Sequence, residues 1–316
     1  MAIESLKGQS LEAWEAIIVD DGSTAEELAY IRQSIGDDPR VRVMVRDTPP
    51  AGANHCRNLG VQNARSDLIV FLDSDDMLSP NCLAARVAAM AKSPDLAFIV
   101  FGHEHFRDQP GDTDDPWPIR SDGDHLDSFL IMRPPWQTAG PTWRRATLDA
   151  VGPWDESLPS GQDWDYHVRA LSLRLPYASV EQPRFFHRLT GNHRESISSW
   201  AKPSITTVKA RQRMVAKALE LLQNRGLLTR QRKLLFARLF LITAEQMVQA
   251  GETVAAGRWW ERALELGLIT GRQYREGSIL FRVHGIPILR RAFRLYARCF
   301  WPPQLRHHVT ITRTSA

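Results

Sequence analysis

In LIVFLDSDD, residues 68–76, five consecutive apolar side chains run directly into Asp73, Asp75 and Asp76. A short unbroken apolar run ending in turn residues is the pattern of a strand buried on both faces. Its carboxylates would be delivered to the sheet edge, where water and ligand can reach them. The same design occurs upstream in AIIVDDGS, residues 16–23, where Asp20 and Asp21 precede a glycine turn. On either side, VRVMVR at 41–46 alternates with period two, and LAFIVF at 96–101 is a further apolar run. Helical spacings fall between them, near 24–35, 52–65 and 81–92; Ser79-Pro80 supplies a cap and first-turn proline for the last. This alternation predicts an α/β fold on a mainly parallel, Rossmann-like sheet with helices on both faces. Ligands of such sheets bind beyond the carboxyl ends of the strands, where both acidic clusters lie.

Residues 102–118 are polar, acidic and proline-punctuated, and predict a surface loop. A helix is expected to begin near Gly161, in GQDWDYHVRAL, followed by short β-like runs at 178–181 and 184–189. After Trp200 the pattern changes to long helices at about 205–224, 230–250, 255–266 and 288–301. QAGETVAAGRWWERALELG resembles one helix–turn–helix repeat, but no second copy follows at fixed spacing, which argues against a solenoid. Charge divides at the same place. Residues 1–200 hold 19 Lys and Arg against 30 Asp and Glu; residues 201–316 hold 21 against 6. Two units are therefore expected, 1–200 and 201–316. The acidic one could hold metal ions. The basic one could meet anionic surfaces or simply present solvated arginine-rich helix faces.

Several classes are excluded. Cys56, Cys82 and Cys299 are far apart and form no CxxC pair, which rules out a zinc ribbon or disulfide framework and suits a reducing, cytoplasmic setting. No 18-residue uncharged apolar stretch exists to span a membrane as a helix. The first residues carry Glu4 and Lys7 within their apolar pattern, unlike a signal peptide. No nucleic-acid recognition motif accompanies the basic third.

Clustered carboxylates repel one another, and a divalent cation relieves the repulsion. Mg²⁺ and Mn²⁺ take one or two protein carboxylates and complete their shells with phosphate oxygens and water. An acidic loop that merely caps the next helix would look the same in isolation. Order and spacing distinguish the two. IIVDDGST, then AGANHCRNLG, then ARSDLIVFLDSDD resembles the family-two inverting glycosyltransferases of the A-type nucleotide-diphospho-sugar fold. RRATLDAVGPWDESLPSGQDWDYHVRAL is similar to the acceptor-side half of that family, and HRLTGNHRESIS to its closing segment. The likeness covers residues 2–199 and does not reach the helical third.

That resemblance implies a metal-dependent, inverting transfer of sugar from a nucleotide-diphospho-sugar to an acceptor hydroxyl, with Mn²⁺ or Mg²⁺ as cofactor. Asp21, with Asp20 beside it, would contact the base or ribose, with Arg57 near the base and Asp73 facing the ribose. Asp75 would bind the metal, and His193 stands where the family often has a histidine approaching the metal or diphosphate. Asp163 would be the general base. Gln162 replaces the more usual Glu beside it. The acceptor would be a carbohydrate or lipid-linked sugar, in cell-surface polysaccharide or glycolipid synthesis. A non-catalytic sugar-binding module and a sugar-nucleotidyltransferase are the alternatives. Family members place an apolar strand before the helix resembling AIESLKGQS; the chain here starts at that helix. Either its start lies downstream of the true one or the form is shortened, and an exposed strand edge is expected. Residues Ile288–Trp301 put Arg290, Arg294 and Arg298 on one face and apolar residues largely on the other. Such a helix would either lie at the inner face of the cell membrane or pack on the preceding helices.

Overall fold

The computed structural model describes residues 1–46, 52–113, 116–117, 124–189 and 204–283. They divide into two compact units, Met1–His125 with Pro134–Ser198, and Leu126–Arg133 with Ser199–Ala316.

The first unit opens with α1 (Ala2–Lys7) and β1 (Ala16–Asp20), crosses through α2 (Ala25–Ile35) and returns as β2 (Val41–Val45). β1 and β2 pair in parallel, with Ala16 opposite Val41 and Asp20 opposite Val45. Among the described residues β1 pairs on that side only. Ile17, Ile18 and Val19 are half-buried, although their unbroken apolar run suits burial on both faces. Helix α3 (Ala53–Asn63) packs on β1 and leads into β3 (Leu68–Ile69), β4 (Met77–Leu78), α4 (Cys82–Lys92) and β5 (Phe98–Phe106). Then come β6 (Pro116–Trp117), α5 (His125–Leu130), which after His125 belongs to the second unit, and, again in the first, β7 (Pro141–Arg144), α6 (Arg145–Val151), α7 (Gln162–Ser172) and β8 (Tyr177–Arg188).

The larger sheet has the order β3-β7-β5-β8-β4, with β6 on β5. β5 and β8 run parallel, while the remaining pairs are antiparallel. The α/β architecture is as the sequence predicts. Each antiparallel pair includes β6, β7 or β8, whose polar-rich runs give little sign of direction.

Residues 102–106 do not loop out. β5 continues through them, with His103 and Phe106 fully buried. Its register against β8 shifts between Phe101 and His103, and a Cβ at Gly102 would lie 3.0 Å from the Glu181 carbonyl oxygen. Glycine admits that close approach. The core of this unit is aromatic. Trp136, Trp143, Phe98, Phe101 and Tyr166 are nearly inaccessible, and Arg86 lies among them, donating to the carbonyls of Ala139 and Gly140 and to Thr142 Oγ1.

The second unit is helical, with α8 (Ile205–Asn224), α9 (Arg230–Gln249), α10 (Thr253–Glu265) and α11 (Gly271–Val283). Ser204 and Thr229 cap α8 and α9 through side-chain oxygens that accept from Thr207 N and Arg232 N, each at 3.2 Å. Phe240 stacks on Trp259 at 3.9 Å, and Trp260 Nε1 donates to the Tyr274 carbonyl at 3.1 Å. Residues 126–133 belong here because Asp127 accepts from Arg232 Nε at 2.7 Å and Gln231 Nε2 at 2.6 Å. No helix among the described residues is long and apolar enough to cross a membrane. Ile288–Trp301 lies outside the described residues.

Candidate functional site

The two acidic turns close in different ways. After β1, Asp20 is 5% exposed and its carboxylate accepts from the backbone of Gly22 and Ser23, both at 3.3 Å. The Ser23 side chain and these amides hold the Asp20 carboxyl below its ordinary value, against the effect of burial. Gly22 sits at φ 99°, a region that favours glycine. Asp21 faces the other way. It pairs with Arg46 and accepts from Gly52 N at 2.9 Å, tying this turn to the start of α3.

After β3 the order of roles is reversed along the chain. Asp73 and Asp75 lie towards solvent, Asp75 exposed and Asp73 with 37% of its side chain accessible, while Asp76 is 1% exposed. Asp76 Oδ1 lies 2.9 Å from His187 Nδ1 and accepts from Arg188 N at 3.1 Å. Burial raises the Asp76 carboxyl, opposed by His187. Burial alone would lower the His187 ring; Asp76, with Asp75 and Asp73 adding, raises it on balance. Behind them His103 stacks against Phe185 and Trp117, and burial pushes its pKa down to about 2, so it is neutral.

Helix α3 carries Arg57 towards Asp73. Arg57 Nη2 donates to Asp73 Oδ1 at 2.7 Å, Nη1 donates to Asn54 Oδ1 at 3.2 Å, and the guanidinium lies 4.6 Å from the Trp154 ring centroid. The same helix clasps the loop before α7. Asn58 donates to the Trp154 carbonyl at 3.0 Å and accepts from Trp154 N at 2.8 Å, and Asn54 donates to the Asp155 carbonyl at 2.6 Å. His55 and Asn58 each meet the Glu156 carboxylate at 2.8 Å. The Trp154 ring stacks on Tyr166 of α7 at 4.1 Å. Trp154 and Trp164 are both buried and serve packing.

Asp163, in the first turn of α7, is half-buried. Desolvation raises its carboxyl above the ordinary value. The Trp164 amide and Arg57 oppose the rise, and Asp73 adds to it. Arg57 thus meets Asp73 directly and acts on Asp163 through space. Three residues separated by up to 106 positions share one electrostatic neighbourhood. His193 lies outside the described residues, as does the rest of the closing segment after Leu189.

Sequence reading missed Asn54, Glu156 and His187. The signal for Asn54 was available: Asn54 and Asn58 stand four apart on α3 and so share a face with Arg57. The His187 contact spans 111 residues and leaves no local trace.

The donor set at the second turn suits a hard cation: exposed carboxylate oxygens with room for water or phosphate. No three His, Cys, Asp or Glu among the described residues form a metal cage. A cation that completes its shell from a substrate diphosphate does not require one.

The fold is that of the A-type glycosyltransferases. TarS of S. aureus, solved with UDP-GlcNAc, is similar with a TM-score of 0.58 at 14% identity, over 89% of this chain and 86% of that one. The mannosyltransferase PcManGT of Pyrobaculum calidifontis, solved with GDP-Man and Mn²⁺, is similar with a TM-score of 0.52 at 14% identity, over 94% and 81% of the two chains. Residues 1–136 match the family model described as Glycosyl transferase family 2. Through this segment, less than half of the chain, the sequence is similar to that family. Among curated proteins, the O-antigen biosynthesis protein RfbC of Myxococcus xanthus is 27% identical over 194 residues, 59% of this chain and 14% of its own length. The succinoglycan biosynthesis protein ExoW of Rhizobium meliloti is 35% identical over 96 residues, 29% of each chain. The chain thus spans well under two thirds of these relatives. Asp163 and α7 lie beyond the segment matched by the family model.

Proposed function

We propose that this chain transfers a sugar from a nucleotide-diphospho-sugar to an acceptor hydroxyl with inversion, in the assembly of a cell-surface polysaccharide or glycolipid. The observation that carries the reading is the Arg57–Asp73 ion pair beside the exposed Asp75, with both charges of the pair acting on Asp163 through space. Relatives named for O-antigen and succinoglycan biosynthesis support the acceptor class. The family and neighbours holding UDP-GlcNAc or GDP-Man support the donor class.

In this reading Asp73, oriented by Arg57, accepts from a ribose hydroxyl, and Asp21 lies beside the base. Asp20 acts indirectly, by shaping the turn that presents Asp21. Asp75, and His193 in the closing segment, would hold Mn²⁺ or Mg²⁺. That ion supplies Lewis-acid stabilisation of the charge developing on the departing diphosphate. Asp163 takes the acceptor proton as the hydroxyl attacks the anomeric carbon on the face opposite the leaving group. Its raised pKa suits a base near neutrality better than an unperturbed Asp. Trp164 and Trp154 screen the neighbourhood from water by packing.

Donor turnover tests the reading. Release of nucleoside diphosphate from UDP- or GDP-sugars, with acceptor and Mn²⁺, should occur and stop in excess chelator. Retention of donor without release would indicate a binding module. Undiminished release in chelator would remove the metal from the mechanism. Docking at the membrane by Ile288–Trp301 is a separate proposal, tested by co-sedimentation with anionic vesicles before and after removal of residues 286–316.

A further inference from the structure

Asp76 belongs to the acidic turn but faces away from the ligand side. Its carboxylate is almost inaccessible, and it accepts from the His187 ring and from Arg188 N in β8. Its own amide donates to the Asp73 carbonyl at 3.1 Å, which closes the turn on itself. Immediately afterwards Met77 and Leu78 pair with Phe186 and Phe185. Through Asp76 the turn carrying Asp73 and Asp75 is therefore closed by backbone and fastened to β8 by side chain. His187 is itself held by packing. Its ring lies 5.8 Å from His103 and 5.7 Å from His105, and His103 is fully buried against Phe185 and Trp117.

A buried carboxylate is unfavourable unless it is paired and hydrogen-bonded. An apolar residue at 76 would satisfy the core without that requirement. What the carboxylate adds is direction: two acceptor oxygens meeting donors fixed in β8, one residue from Asp75. We propose that Asp76 and His187 are positioning residues that set the placement of Asp75 for the metal and of Asp73 for the donor ribose. The proposal rests on the reading of Asp75 given above.

Binding of Mn²⁺ in the presence of UDP or GDP, followed by the electron paramagnetic resonance of free Mn²⁺, tests it without turnover. Partners that orient a metal ligand are typically worth about 10–100-fold in affinity. His187→Leu should weaken Mn²⁺ binding by about 10-fold or more. His187→Asn, whose amide nitrogen takes the place of Nδ1, should bind nearly as the parent does. His187→Gln, whose amide reaches the place of Nε2 instead, should behave like the Leu variant and gives a second variant lacking the bond if Leu disturbs folding. Parent-like Mn²⁺ affinity in the Leu and Gln variants, with only a lower melting temperature, would overturn the proposal in favour of a purely structural pair. Equal weakening in all three variants would also overturn it. Asp75→Asn is the control. If it binds Mn²⁺ as the parent does, the reading of the site fails and the proposal fails with it.

Discussion

The turn after β1 and the turn after β3 begin alike, each an apolar run delivering carboxylates, yet they assign those carboxylates differently. In the first, the inward carboxylate is Asp20, and its backbone partners lie within three residues. In the second, the inward carboxylate is Asp76, and its partners are His187 and Arg188, more than a hundred residues away. Asp21 is engaged by Arg46 and Gly52, whereas Asp75 stands exposed beside the Arg57–Asp73 pair. The inward carboxylate of the first turn is locally specified. The second takes its shape only when the sheet is assembled, and so couples the ligand-facing carboxylates to the integrity of the whole unit.

The largest expected effect lies at the residue that shares the second turn's neighbourhood. Asp163→Asn keeps size but loses the proton acceptor, so transfer should fall by about 10²–10⁴-fold while donor affinity holds. Initial rates and an equilibrium donor titration separate the two quantities. Equal loss of both would make Asp163 a binding or structural residue and break its place in the comparison.

Next come the turns themselves. Asp75→Asn should lower transfer by about 10²–10³-fold, the usual scale for one electrostatic stabiliser of developing charge. Asp20→Ala should instead cost about 1–2 kcal/mol of stability through lost hydrogen bonds, seen in denaturant melts, with a much smaller change in transfer. If the two substitutions exchanged phenotypes, the roles assigned to the turns would be reversed.

Acid separates the groups further. Asp163 is raised, so protonating it removes the base, and kcat/KM should fall with decreasing pH at an inflection above the ordinary aspartate value of 3.8. Asp20 is depressed, so its contribution to stability is present above 3.8 and is lost as pH falls through its lower folded value. Activity should therefore fail at a higher pH than the Asp20 contribution to folding. A pH–rate profile beside melting curves of the parent and Asp20→Ala measures both.

These contrasts mark how far the sequence could be read. AIIVD, VRVMV and the helices at 205–224 and 230–249 were legible because hydrophobic period and caps are local signals. Residues 102–106 were not: GHEHF looks polar, but His103 stacks on Phe185 of β8 and Trp117 of β6, and His105 meets Trp117 edge-on. Within the site, Asp20, Asp21, Asp73 and Asp75 were visible as strand ends. The inward turn of Asp76 and the grip of Asn54 and Asn58 on the loop before α7 depend on partners remote in sequence, which spacing does not encode.

The smallest effect belongs to the first turn. Thr24 ends it and caps α2: its Oγ1 accepts from Glu27 N at 3.2 Å, and Thr24 N donates to the Glu27 carboxylate at 2.7 Å. Thr24→Ala removes the side-chain half of this box and should cost about 1 kcal/mol, the usual worth of an N-cap. Asp20 and Gly22 would still close the turn, so donor affinity and transfer should stay at the parent level. Denaturant melts and a donor titration on one preparation give both numbers. A loss of donor affinity well beyond the loss of stability would mean that the cap helps to aim Asp21. The first turn would then depend on more than its own three residues, and the contrast with the second would narrow.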